Sequence, residues 1–316
     1  MCFARINLKI SRAFIFLPIA GLLRISQTVL NIAGSMQSNT TYAAWMASLS
    51  GQLTSYSKEE AENLVFWLFE THLGLRRADL QQAISSRVDP ARLLADFQRL
   101  LTGEPIQYIL GEAPFYGRSF AVTRDTLIPR NETEELVHRI IKENQKPGIR
   151  VLDLGTGTGC IPISLALELT SPEVYAMDVS AAALEVARQN AATLGATVHF
   201  IEGSLLGEPL ELSKMDLIVS NPPYVPLRDQ AEMHANVLNF EPHLALFVPD
   251  EDPLVFYRAI GEWGQQLLKS GGKLYLEIYE NLADELVQLL LSQGYLHLQV
   301  HQDLNGKNRM ISCLWP

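Results

Sequence analysis

Val151-Leu152-Asp153-Leu154-Gly155-Thr156-Gly157-Thr158-Gly159 is an apolar, strand-like run that breaks into alternating glycines. The residues after it, Ile161, Ile163, Leu165, Ala166 and Leu167, continue as a helix. Glycines at such a break permit a tight turn and let a ligand approach the backbone. The spacing is Gly-x-Gly-x-Gly, which differs from the dinucleotide fingerprint Gly-x-Gly-x-x-Gly. A second apolar run, Val174-Tyr175-Ala176-Met177, ends at Asp178, where a carboxylate is placed to accept both hydroxyls of a ribose.

Outward from this unit the same alternation continues. The pattern predicts a helix over 132–144, strands over 150–154, 173–177, 197–201 and 215–220, and a helix over 180–194. A helix over 253–270, Gly271-Gly272, a strand over 273–278, a helix over 281–292 and extended segments over 296–301 and 308–314 complete it. This order implies an α/β, doubly wound, mostly parallel sheet with ligands at the carboxyl ends of its strands. Residues 40–102 are helical instead: Leu64, Val65, Leu68 and Phe69 share one face, and Leu93, Leu94, Phe97, Leu100 and Leu101 another. Gly103 and Pro105 interrupt, and Phe115-Tyr116-Gly117 followed by Phe120-Ala121-Val122 predicts a hairpin inside a linker.

The strand over 215–220 runs into Asn221-Pro222-Pro223-Tyr224. An amide or exocyclic amino nitrogen is a poor nucleophile because its lone pair is delocalised. It attacks a methyl group only when acceptors take its N–H bonds and leave the lone pair facing the electrophile. The side-chain oxygen of Asn221 and the carbonyl of Pro222 are two such acceptors, and the prolines restrict the backbone that carries them. Tyr224 offers a flat face to a planar amide or base.

With both motifs in view, the chain resembles the class-I S-adenosylmethionine methyltransferases, and within them the PrmC/HemK protein-(glutamine-N5) methyltransferases. The resemblance covers residues 40–316. It also rests on Gly103-Glu104-Pro105-Ile106-Gln107-Tyr108-Ile109-Leu110-Gly111, on Leu127-Ile128-Pro129-Arg130-Asn131-Glu132-Thr133-Glu134 and on Phe240-Glu241-Pro242. Those three segments separate this family from the DNA amino-methyltransferases. Two departures stand out: the family usually has proline where Asn131 stands, and commonly Ser-Asp plus an aromatic where this chain has Gly203-Ser204-Leu205.

The resemblance implies a Rossmann-like, seven-stranded catalytic domain over 129–316, a hairpin linker over 103–128 and a helical domain over 36–102 that binds the protein substrate. It implies methylation of the glutamine in the Gly-Gly-Gln motif of class-I peptide chain release factors, in the cytoplasm, by a monomer whose cofactor is S-adenosyl-L-methionine. The cofactor residues would be Asp153, Gly155, Thr156, Gly157, Thr158, Gly159, Asp178, Ser204, Leu205 and Asn221. Asn221, Pro222 and Tyr224 would be catalytic, and with Pro223 would hold the substrate. The alternatives are an amino-methyltransferase acting on adenine or cytosine of a nucleic acid, and a catalytically idle cofactor-binding protein.

Composition agrees with an enzyme of more than one domain: 316 residues, 47% apolar, with a net charge of −10. Residues 1–58 hold five Lys/Arg and no acid, which leaves 20 basic and 35 acidic residues, or −15, in the remainder. So acidic a body suits a basic protein partner better than a phosphate backbone, and it serves equally as a merely solubilising surface. The isolated Cys2, Cys160 and Cys313 imply neither disulfides nor zinc, and the seven histidines have no metal-ligand spacing. Residues 1–35 carry Arg5, Lys9 and Arg12 before an eleven-residue apolar run interrupted by Pro18, too short to span a bilayer. A targeting segment fits them, and so does an extension ahead of a true start at Met36, which is the expectation here.

Overall fold

The computed structural model describes residues 41–82 and 90–316. The expectation for residues 1–35 lies outside them. The chain divides into two units at Thr102/Gly103.

In the first unit, α1 (Tyr42–Ser50), α2 (Lys58–Leu73) and α3 (Ala91–Leu101) pack in sequence order. Thr41 and Ser57 cap α1 and α2 by accepting backbone N–H groups, and Gly74 ends α2 in the left-handed region at φ 63°. Val65, Leu68 and Phe69 of the predicted α2 face are buried, with Trp45 tilted against Phe69 at 4.9 Å between ring centroids. On α3, Leu93, Leu94, Phe97 and Leu100 are buried.

The second unit opens with a short helix, α4 (Ile106–Leu110), and the hairpin β1 (Glu112–Phe115) and β2 (Arg118–Ala121). Tyr116 and Gly117 both have positive φ, 47° and 72°, as a two-residue hairpin turn requires. The expected linker is in fact built into this unit. Phe115 and Phe120 are buried in the core with Leu136, Ile140 and Ile163, and Asn190 bonds both the N–H and the carbonyl of Ala121.

After α5 (Asn131–Glu143), the alternation runs β3 (Arg150–Leu154), α6 (Cys160–Glu168), β4 (Glu173–Asp178), α7 (Ala181–Leu194), β5 (His199–Glu202) and β6 (Met215–Ser220). Next come a two-residue strand β7 (Val225–Pro226), α8 (Ala235–Phe240) and β8 (Phe247–Val248), with β7 and β8 paired in parallel. Sequence periodicity shows no element here. The chain ends with α9 (Val255–Leu267), β9 (Leu268–Glu277), α10 (Ala283–Ser292), β10 (Leu296–Gln302) and β11 (Asn308–Leu314).

Seven strands form one sheet in the order β10-β11-β9-β6-β3-β4-β5, in which β11 alone runs opposite to the others, antiparallel to both β9 and β10. Side chains alternate across it. Val151, Leu217, Val219 and Tyr275 pack with α5 and α6, whereas Leu152, Leu154, Ile218, Leu274 and Leu276 pack with α9 and α10. One boundary differs from expectation: α9 stops at Leu267, and Gly271-Gly272 lies inside β9. Gly271, at φ 75°, donates its N–H to the Trp315 carbonyl while Trp315 N–H donates to the Gly272 carbonyl, a bulge of two residues facing one, so the glycines lengthen the strand's path instead of ending a helix.

Gly159 opens α6 at φ 79°, and a methyl group there would sit 2.9 Å from Ile163 Cδ1 and 3.1 Å from Ala187 Cβ on α7. Gly159→Ala is therefore expected to lower unfolding free energy by about 2–4 kcal/mol, through overpacking and a left-handed alanine. A lower urea midpoint with an unchanged slope would register it; an unchanged midpoint would show that α6 and α7 yield freely.

Candidate active site

The turn after β3 is sewn to the end of β4. The N–H groups of Gly155 and Thr156 donate to the Met177 carbonyl at 2.8 and 3.0 Å. The Asp178 carboxylate then accepts from Gly157 N at 2.8 Å and from Ser180 N at 2.9 Å. Each of its oxygens keeps a lone pair for a ligand. Gly155 and Gly157 adopt φ of 80° and 54°, and methyl groups on them would meet nothing within 4 Å, so their backbone faces open space.

That space is a cavity of about 340 Å³. Gly155, Thr156, Gly157, Thr158, Asp178, Ser204, Leu205, Asn221 and Pro223 line it, with residues 124–127, 129, 130 and 133 as a facing wall. Four of the expected residues stand off this wall; one of them, Tyr224, lines a second cavity. Gly159 serves helix packing, Pro222 is buried behind the loop, and Asp153 lies beneath the turn with no exposure. Cys160 reaches the cavity, but burial pushes its thiol up to about 12, which makes it a packing group and not a nucleophile.

Asp153 is the most costly group of the site. Neither of its oxygens, nor the hydroxyl of neighbouring Thr156, has a hydrogen-bond partner among the described residues within normal geometry. Burial raises its carboxyl to about 7; the nearby Thr156 hydroxyl acts against that rise, and the charge of Asp178 adds to it. An orphaned acid directly under a glycine turn fits a ligand that brings a cationic group to that turn.

The loop after β6 organises around a second buried acid. Asn221 Nδ2 donates to Thr133 Oγ1 at 3.2 Å, and the Thr133 hydroxyl donates to Glu277 Oε2 at 2.6 Å. Tyr224 donates its hydroxyl to Glu277 Oε1 at 3.2 Å, and its ring stacks on Tyr279 at 6.1 Å between centroids. Burial pushes Glu277 up, against the hydrogen bonds from Thr133 and Tyr224 and the charge of Arg309. The Pro222 carbonyl accepts no hydrogen bond from the described residues. A second cavity of about 320 Å³ opens beside Tyr224, Arg130, Glu132, Glu277 and Arg309. Asn221 borders both cavities.

Two more buried glutamates hold the facing wall. Glu241 accepts from Arg130 at 2.7 Å and from Ile128 N at 3.3 Å, which joins the Phe240-Glu241-Pro242 segment to Leu127–Arg130. Glu104 accepts from Arg124 at 2.8 Å, and Tyr108 donates to the Thr126 carbonyl at 2.6 Å. Asn131 is the first residue of α5, where a proline costs nothing because that N–H has no helical partner. Periodicity gives no role to Thr133, Glu277 or Arg309. The one signal is an acid inside the apolar run Leu274-Tyr275-Leu276-Glu277-Ile278, a pattern that marks a buried, bonded carboxylate.

The sheet order, the glycine turn and the acid ending β4 define a class-I S-adenosylmethionine-dependent methyltransferase domain. Comparison with known proteins agrees: residues 132–240 match the methyltransferase small domain and residues 44–111 the PrmC N-terminal domain. The release factor glutamine methyltransferase of Flavobacterium psychrophilum is 43% identical over 263 residues, spanning 81% of this chain and 92% of that protein. That of Bacteroides thetaiotaomicron is 43% identical over 261 residues, with 81% and 94% covered, and that of Streptococcus pneumoniae 42% over 224, with 70% and 79%. The chain belongs to the release factor glutamine methyltransferase family. Its cofactor is S-adenosyl-L-methionine.

Asp153 sets a pH dependence. Its folded-state value, about 7, lies above its ordinary 3.8, so its contribution to stability is fully present below pH 4 and is lost as pH rises through 7. The shift corresponds to at most about 4 kcal/mol. Without cofactor, Asp153→Asn is expected to flatten the decline in stability between pH 4 and 7 and to unfold at higher urea than the parent at pH 8. Parallel stability profiles for the two proteins would contradict this.

Proposed function

We propose that this chain transfers a methyl group from S-adenosylmethionine to the side-chain amide nitrogen of the glutamine in the Gly-Gly-Gln motif of class-I release factors. The observation that carries the reading is that Asn221 borders two cavities at once, one walled by the glycine turn and Asp178, the other by Tyr224 and Glu277. Leu127, Arg130 and Ala245 border both cavities as well, but none of their side chains can accept an amide N–H, which leaves Asn221 as the side chain able to orient an acceptor in one cavity toward a donor in the other.

Gly155, Thr156, Gly157 and Thr158 hold the methionine part of the cofactor, with Asp153 beneath them as counter-charge for its amino group and Gly159 supporting the turn. Asp178 takes the ribose hydroxyls, and Ser204 and Leu205 the adenine side. The bound cofactor supplies one thing, an electrophilic methyl group on a sulfonium.

The chain's own contribution is alignment. Asn221 Oδ1 and the Pro222 carbonyl accept the two N–H bonds of the glutamine amide, fixing its plane and turning its lone pair toward the first cavity. Pro223 borders that cavity. Tyr224, held by Glu277 and backed by Tyr279, gives the amide a rigid wall. As the nitrogen bonds to carbon it becomes cationic, and the two acceptors stabilise that charge before one proton leaves to solvent. No buried base is needed for a proton so acidic. Preorganisation of this kind accounts for most of the catalysis.

The helical unit, residues 36–102 in this reading, holds the release factor. The acidic body supports a basic protein partner over direct contact with nucleic acid, and the enzyme works as a cytoplasmic monomer. Among the described residues no helix is long and apolar enough to cross a membrane, and no group of His, Cys, Asp and Glu could hold a metal ion.

Incubation with methyl-labelled S-adenosylmethionine tests the reading: label is expected in purified release factor and not in DNA, and the reverse would overturn it. Asn221→Ala at saturating cofactor should lower the single-turnover rate on the order of 10²–10³-fold while cofactor affinity changes little. A rate within a few-fold of the parent would remove Asn221 from the mechanism.

A further inference from the structure

A primary amide has two ends of similar size and opposite chemistry, so an asparagine that must present oxygen to its substrate needs something to hold its nitrogen elsewhere. Asn221 is such a residue in the proposed methyl transfer, and the role of its neighbours rests on that reading. Its Nδ2 donates to Thr133 Oγ1 at 3.2 Å. A threonine hydroxyl can donate or accept, and alone it would tolerate either end of the amide. Here its single proton is already committed, because it donates at 2.6 Å to Glu277 Oε2. A carboxylate only accepts, so the direction of every bond in the series is fixed from Glu277 outward. Glu277 is only 1% exposed and sits on β9, while Thr133 sits on α5 and Asn221 follows β6, so three separate elements converge on this series. The second oxygen of Glu277 holds the Tyr224 hydroxyl, which orients the amide and the aromatic wall from one point.

We propose that Thr133 and Glu277 are positioning residues that force the Asn221 amide to face the acceptor with its oxygen, Thr133 acting as a one-way relay. Glutamine at 277 would break the direction without removing bulk. Its NH₂ can donate to Thr133, which frees the threonine proton to bond Asn221 Oδ1 and lets the asparagine present its NH₂ to an incoming amide, N–H against N–H.

The test is a double-variant cycle on single-turnover methylation of release factor, with cofactor affinity measured by calorimetry on each protein. Thr133→Val, which swaps the hydroxyl for a methyl group, is expected to slow methyl transfer about tenfold to a hundredfold, as misalignment of a reacting group does. KM for release factor and affinity for cofactor should stay within about threefold, and Thr133→Ser should recover most of the rate. Glu277→Gln should resemble Thr133→Val. In an Asn221→Ala background, Thr133→Val should cost little more, because the group it orients is gone. Full additivity of the two losses, a Thr133→Val rate within twofold of the parent, or failure of Thr133→Ser to recover the rate would overturn the relay. A parent enzyme that leaves release factor unlabelled would instead overturn the functional reading beneath it.

Discussion

The parallel register of three central strands is the constraint on which the site depends. Leu154 of β3 lies opposite both Met177 of β4 and Ser220 of β6, and the Ser220 hydroxyl donates to the Leu154 carbonyl at 2.6 Å. The strands therefore stop at one level, and the glycine turn, Asp178 and Asn221 leave the sheet along a single edge. A slip of one residue would invert every side chain of a strand. In β3 it would carry Leu152 and Leu154 out of the α9 and α10 layer and turn Asp153 into it. Because both faces are packed with large apolar residues, the register is held by the whole core and not by the ladder alone.

Buried carboxylates then arrange what the sheet edge has brought together. Glu104 and Glu241 each tie down a stretch of the wall over 124–130, and Glu277 ties Thr133 to Tyr224. A buried acid without donors costs several kcal/mol, so each of these has recruited them. Asp153 has not, and it lies under the glycine turn that lines the first cavity. The contrast separates acids that build the site from one left open to a ligand.

The strands of the parallel sheet are legible in the sequence because they are short apolar runs closed by glycine, proline or aspartate. Asp178 and Asn221 are legible because each ends such a run, where side chains meet ligands. The glycines of the turn look alike as sequence, yet only Gly155 and Gly157 face open space; Gly159 depends on Ile163 and Ala187, and that distinction exists only after α6 and α7 pack. Thr133 and Glu277 are separated by 144 positions and Arg130 and Glu241 by 111, so no local pattern pairs them. The segment over 225–248 is opaque for another reason: its strands are two residues long, below any period that can be counted.

The last strand of the chain is also an interior one. β11 lies between β9 and β10, hydrogen-bonded to both, and Arg309 at its start reaches the cavity beside Glu277 while its partner Asp303 orders the preceding turn. A ribosome making this protein thus releases the glycine turn, Asp178 and Asn221 long before the strand that closes the sheet beside β9. Until residues 308–314 emerge, β9 keeps one open hydrogen-bonding edge, the kind that invites non-native pairing. Emergence of residues 308–314 closes this edge and brings Arg309 to the cavity beside Glu277 in one event, and a product truncated before β11 lacks both.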